Sequence, residues 1–112
     1  MFEELSLDDY KLKFHDAKVD HLLLDVRTEE EFAQIRIPGA INIPLEDLSA
    51  EADEVAESAE GKAIVMVCRT GSRSMLAAQI LRMSGVTEPT IYNLSGGTKG
   101  WYEHRWPVEM DE

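Results

Sequence analysis

Cys68 is the only cysteine in the chain, and its neighbours make it a candidate nucleophile. It closes the apolar run Ala63-Ile64-Val65-Met66-Val67 and opens the segment Arg69-Thr70-Gly71-Ser72-Arg73-Ser74. A lone free cysteine at the end of a strand is often a small core hydrophobe. A plain core, however, has no use for two arginines, a glycine and three hydroxyl residues directly after a buried strand. A tight turn of that composition aims backbone N–H groups, a helix N-terminus and two guanidinium groups at the sulfur. Such a nest depresses a thiol pKa and holds extra negative charge on or beyond the sulfur.

The surrounding pattern places that loop. The run before Cys68 is short and β-branched and reads as a buried strand, while Met75 to Met83 consists of helix formers. Cys68 therefore lies at the carboxyl end of a strand, where open α/β sheets bind their ligands. Elsewhere, Ser6 reads as the N-cap of a helix running to about His15, and His21 to Val26 as a strand. Thr28-Glu29-Glu30-Glu31 is a capping box opening a short helix that Pro38 and Gly39 break. Ala40 to Ile43 reads as a short strand, Leu48 to Ala59 as a helix stopped by Gly61, and Ala63 to Val67 as a strand. A helix from Arg73 to Ser84, a strand from Thr90 to Asn93, and a last helix near Lys99 to His104, entered through Gly96-Gly97, complete the chain. Alternation of this kind implies a parallel sheet with helices on both faces. Residues 1–112 read as one domain, without repeats or linkers.

The chain resembles the rhodanese-like sulfurtransferases in their small single-domain form. Besides the Cys68 loop, the resemblance rests on Leu24-Asp25-Val26-Arg27 followed by Glu31-Phe32, and on Ile37-Pro38-Gly39-Ala40-Ile41-Asn42-Ile43-Pro44. Near the end it adds Asn93-Leu94-Ser95-Gly96-Gly97, Trp101 and Trp106-Pro107-Val108. It implies an α/β fold with a parallel sheet of about five strands and helices on both faces. One departure is Ile35-Arg36, where members of the family carry Gly-His; the segment belongs to the scaffold, so local packing is the property at stake.

Loop length separates two anion chemistries. Tyrosine-phosphatase-like enzymes and related arsenate reductases use Cys-(x)5-Arg, which wraps the oxygens of a phosphate. Here the arginine arrives one position earlier, at Arg73, and the shorter loop converges on a smaller volume, that of one extra sulfur. The resemblance then implies sulfur transfer through a persulfide on Cys68, from a small anionic donor such as thiosulfate to cyanide or a thiol. Arg69 and Arg73 are the expected oxyanion clamps. Thr70 and the Gly71 backbone complete the cradle, and Ser72 and Ser74 are expected to cap the following helix or face the sulfur. Asp25 and Arg27, on the same rim, read first as an internal ion pair, Trp101 as an aromatic plug, and His104 as a surface residue. A persulfide carrier or interaction module fed by a protein donor is the alternative within the same resemblance, and a phosphatase- or arsenate-reductase-like enzyme is the one outside it.

Composition narrows the partners. At 44% hydrophobic residues the chain can bury a core without staples. A single cysteine rules out an internal disulfide and a multi-cysteine zinc site, and His15, His21 and His104 show no ligand spacing, so neither metal nor cofactor is expected. The net charge of −11 is concentrated in residues 1–60, which hold 17 acidic and 5 basic side chains, against 5 and 6 in residues 61–112. Nucleic acid is a poor partner for such a chain. No apolar run approaches membrane-span length, the start lacks a signal-peptide pattern, and a reactive thiol suits a reducing compartment, so a cytoplasmic protein is expected.

Overall fold

Ile64, Val65, Met66 and Val67 are all fully buried, so the strand they form is covered on both faces, and the rest of the chain is arranged to cover it. The computed structural model describes residues 2–111. In chain order it contains β1 (Glu3–Leu5), α1 (Leu7–Tyr10), which continues as a π-helical stretch over Lys11–Asp16, β2 (Leu22–Asp25) and α2 (Glu29–Gln34). Then come β3 (Ile41–Asn42), a 3-10 turn at Leu45–Asp47, α3 (Ala52–Ala59), β4 (Ile64–Val67), α4 (Ser72–Met83), β5 (Ile91–Leu94) and α5 (Gly97–Glu103). The five strands form one sheet in the order β1-β5-β4-β2-β3, parallel throughout.

The two-residue period of the strands divides the core. Leu22, Leu24, Ile64, Met66 and Ile91 pack with Val55 and Ala59 of α3 and Ala77, Ala78 and Leu81 of α4. Leu5, Leu23, Val65, Val67 and Leu94 pack on the other side with Tyr10 of α1 and Trp101 of α5. The expected sheet with helices on both faces is therefore present. From β3 the chain returns past β2 to β4 and then continues outward to β5, so the strand order reverses between β2 and β4. Crevices at such reversals are the usual ligand sites of open α/β sheets. Asp25 pairs in register with Val67, which sets the carboxyl ends of both strands level at that crevice.

Several elements match their sequence signals closely. Ser6 Oγ accepts from Asp9 N at 3.1 Å, and the Thr28 capping box is complete: Glu31 N donates to Thr28 Oγ1 and Thr28 N donates to Glu31 Oε1. Others differ. β1 was not anticipated, because its three residues include two exposed glutamates and only Leu5 enters the core. The expected helix from Leu48 begins only at Ala52; Leu48 is fully buried in the irregular turn before it. At the end of α3 the left-handed position is Glu60, at φ +51, with Gly61 following at +79.

Trp101 has no exposed surface, and its Nε1 donates to Pro107 O at 2.7 Å, tying the C-terminal segment to α5. Replacing Trp101 by Ala is expected to cost about 3–5 kcal/mol. The check is a urea titration, which should show a lower midpoint at unchanged slope.

Candidate active site

β4 delivers Cys68 to the rim, and the backbone that follows turns back over its sulfur. Val26 N donates to Val67 O at 2.9 Å, fixing the end of β4 against β2. Gly71 then takes φ +119, a conformation that favours glycine, and immediately precedes α4. This turn points Gly71 N at Cys68 Sγ, 3.0 Å away, and brings the Ser74 hydroxyl to 3.4 Å. The loop is fastened from the far side by α5. Thr98 N donates to Cys68 O and Lys99 N to Arg69 O, both at 2.9 Å. Gly97, at φ +55, makes that approach possible: a Cβ there would lie 2.4 Å from Cys68 O and 2.6 Å from Arg69 O.

The sulfur is fully buried, yet its environment favours the thiolate. Burial alone raises the thiol pKa. The Ser74 hydroxyl and the backbone N–H groups of Ser74, Gly71 and Thr70 outweigh it and leave the pKa below its ordinary value. The hydrogen-bond donors to the sulfur are thus the amides and one hydroxyl, and Arg73 adds an electrostatic attraction without touching it. The arginines expected to share that work are placed differently. Arg73 Nη1 and Nη2 donate to Glu31 Oε1 and Oε2 at 2.7 and 2.9 Å, a fork-on-carboxylate pair between α4 and α2. This pairing and burial oppose one another at Glu31, and the Arg73 hydrogen bonds prevail, lowering its pKa to about 2. Arg69 is exposed, and its guanidinium has no hydrogen-bond or ion-pair partner among the described residues.

The serines also require correction as caps. The N-cap position of α4 is Gly71, and no side chain caps that end. Ser72 is the exposed first helical residue, whereas Ser74, fully buried, directs its hydroxyl to Cys68 Sγ, Gly71 O and Asn93 Oδ1. The glycine occupies the cap because only it takes the left-handed turn that brings the amides onto the sulfur. Asn93 was not singled out from the sequence as part of this site. It ends up beneath the loop because Met66 and Asn93 are register partners near the ends of β4 and β5.

With this geometry in place, comparison with known proteins is decisive. Residues 6–104 match the rhodanese-like domain. The chain belongs to the rhodanese-like family. It is 30% identical over 112 residues to a sulfurtransferase of Allochromatium vinosum, covering 100% of this chain and 99% of that one. It is 34% identical over 98 residues to YrkF of Bacillus subtilis, named as a candidate sulfur carrier protein; the match spans 88% of this chain and 50% of YrkF. The crystal structure of thiosulfate sulfurtransferase from Pseudomonas aeruginosa superposes with a TM-score of 0.84 at 24% identity, over 99% of this chain and 21% of that one, a likeness of fold.

Beside the loop, this rhodanese-like domain carries a hydrogen-bonded wall and an open cleft. Asp25 and Arg27 form the internal ion pair: Arg27 Nη2 lies 2.8 Å from Asp25 Oδ2, both side chains are buried, and Arg27 also donates to Glu31 O and Ile35 O. Asn42 Nδ2 donates to the carbonyls of Asp25 and Arg27, closing the corner. At the Ile35-Arg36 pair, Ile35 O accepts from Arg27 and Arg36 Nη2 meets Asp111 Oδ1 at 2.9 Å, tying the end of α2 to β2 and to the C-terminal segment. A cleft of about 450 Å³ is lined by Glu31, Arg69, Thr98, Lys99, Tyr102 and Met110, among others. The buried Thr98 hydroxyl on its wall has no hydrogen-bond partner among the described residues. A second cavity, of about 480 Å³, lies by Asp20 and His21 ahead of β2, at the opposite end of the sheet from Cys68.

Gly97→Ala is expected to destabilise the fold by about 2–4 kcal/mol, through left-handed strain and the clash with the Cys68 and Arg69 carbonyls, as read by chemical denaturation. The Glu31–Arg73 pair sets a pH window. A carboxylate with a depressed folded pKa stabilises fully above its unfolded value, 4.5, and that contribution disappears as pH falls through about 2. Stability curves of native and Glu31→Gln proteins should therefore converge between pH 4.5 and 2 and stay separated above it.

Proposed function

We propose that this domain transfers a sulfane sulfur from an anionic donor such as thiosulfate to a thiophilic acceptor, cyanide or a thiol, through a persulfide on Cys68. The observation that carries the reading is the sulfur held under donors, with Gly71 N 3.0 Å from Sγ and the Ser74 hydroxyl beside it. The Cys68 thiolate attacks the outer sulfur of thiosulfate; the new S–S bond forms as the old one breaks, and sulfite leaves with the electron pair. The acceptor's lone pair then takes the outer sulfur of the persulfide, and the thiolate returns. No general base is needed for a thiol already biased toward its anion.

Each loop residue has a place in this scheme. Amides of Thr70, Gly71 and Ser74 stabilise charge on Sγ, and the free amides in the first turn of α4, at Ser72 and Arg73, are donors for the outer sulfur. Arg69, exposed and with no ion-pair partner among the described residues, meets the oxyanion of the donor or departing sulfite. Arg73 joins it only by leaving Glu31, so its first role is to hold the start of α4 against α2. Because Cys68 has no exposed surface, donor entry requires the loop to part, and Arg69, Thr70 and Ser72 are its exposed members. The cleft beside Arg69 suits the organic part of a thiol acceptor. A persulfide carrier fed by a protein donor is the second reading, favoured by this burial and by the likeness to YrkF. A reducing, cytoplasmic setting suits either one.

Steady-state thiosulfate:cyanide transfer tests the reading. Cys68→Ser should fall to background with an unchanged circular dichroism spectrum, since an alcohol pKa is far too high for this role. Arg69→Ala should lower kcat/KM for thiosulfate about 10-fold or more, the loss of one charge-assisted contact. Transfer retained in Cys68→Ser would sink the assignment. Saturable loading from a protein persulfide, with none from thiosulfate, would select the carrier.

A further inference from the structure

The mechanism above uses the Ser74 hydroxyl but leaves unexplained a polar chain that leads from it to the edge of the sheet. Asn93, buried at the end of β5, accepts from Ser74 at Oδ1. Its Nδ2 donates to Glu4 on β1, 3.0 Å from Oε1 and 3.2 Å from Oε2. Glu4 Oε1 also accepts from Ser95 Oγ at 2.7 Å. A carboxylate can only accept, so Glu4 fixes which way the amide of Asn93 faces: Nδ2 outward, Oδ1 toward Ser74.

We infer that Glu4 and Asn93 are positioning residues that set how strongly Ser74 stabilises the Cys68 thiolate. The inference rests on Cys68 being the nucleophile. The Ser74 hydroxyl has one proton and three acceptors in reach: Cys68 Sγ at 3.4 Å, Gly71 O at 3.2 Å and Asn93 Oδ1. A neutral thiol is a weak acceptor, so while Cys68 is protonated the amide oxygen holds the Ser74 proton. A thiolate draws that proton to itself and leaves Oδ1 unpaired in a buried position, which costs free energy. The amide therefore acts against full ionisation. It keeps the thiol pKa from falling as far as the loop amides alone would take it. A sulfur kept nearer its ordinary basicity is the stronger nucleophile once ionised, because nucleophilicity falls with pKa.

The other charged groups around the loop are already accounted for. Arg73 of α4 is held by Glu31 of α2, Asp25 and Arg27 at the end of β2 are paired, and Lys99 pairs with Glu103 within α5. Arg69 in the loop is exposed, and the turn before α3 brings the exposed Glu46 and Asp47 and the half-buried Glu51. None of these is linked by a hydrogen bond to Ser74.

The test is the pH dependence of iodoacetamide alkylation at Cys68, a readout that involves no sulfur donor. In Asn93→Leu and Glu4→Ala the midpoint should move down by about one pH unit, with a lower plateau rate once the thiol is fully ionised. Glu4→Gln keeps an acceptor for Asn93 Nδ2 and should behave like the native protein, which separates orientation from charge. A midpoint that is unchanged or raised in Asn93→Leu, or a Glu4→Gln shift as large as that of Glu4→Ala, overturns the inference. If Asn93→Leu does not fold, the two Glu4 variants, at an exposed position, decide alone. A native protein that takes up no sulfur while showing these shifts would remove the proposed function and leave the tuning intact.

Discussion

A buried thiol at the end of a parallel strand gains thiolate character only where hydrogen-bond donors face it, and that constraint organises the loop around Cys68. Cys68 has no exposed surface, so solvent cannot supply the donors. They come from one buried hydroxyl and from backbone: Ser74 Oγ at 3.4 Å, the turn at Gly71 with its amide 3.0 Å from the sulfur, and the first residues of α4. A loop of free amides would be floppy on its own. It is fastened by α5, whose Thr98 and Lys99 amides bind the carbonyls of Cys68 and Arg69. Gly97 is the hinge of that arrangement, because any Cβ there would run into the same carbonyls. The two glycines 71 and 97 thus stand on opposite sides of one short backbone segment, one shaping it and one letting it be clamped.

Charged side chains support this centre mostly at one remove. The buried Asp25–Arg27 pair holds the β2 corner through Glu31 O and Ile35 O, and Glu31 in turn holds Arg73 at the start of α4. The chain of contacts runs from the end of β2 through α2 to the Cys68 loop. It makes the acidic residues of the first half partly structural, and it leaves Arg69 as the loop cation with no ion-pair partner among the described residues. On the opposite flank Glu4, Asn93 and Ser74 form a second chain, ending on the sulfur itself. The site is therefore a set of backbone donors and one hydroxyl, braced from both sides.

Much of this was legible in the sequence. The β-branched run before Cys68, the capping box at Thr28 and the glycine of the loop each follow from local chemistry, and all three stand where the pattern places them. The parallel sheet follows from alternation. What could not be read locally depends on who meets whom across the sheet. β1 carries its pairing in backbone hydrogen bonds with exposed glutamates, so no apolar run announces it. Arg73 looks like an anion clamp until α2 brings Glu31 to it over 42 positions of sequence. Ser74 reads as a cap until Gly71 takes that place, and Asn93 reads as a strand residue until the register with β4 sets it under the loop.

The account stands on Cys68 taking and surrendering a single sulfur atom. Intact and peptide-level mass spectrometry after incubation with thiosulfate measures this directly. The expected result is one added sulfur atom, confined to the peptide that contains Cys68 and lost on adding cyanide. A native, folded protein whose mass does not change with thiosulfate or with any persulfide donor, or that gains the sulfur elsewhere, would contradict it.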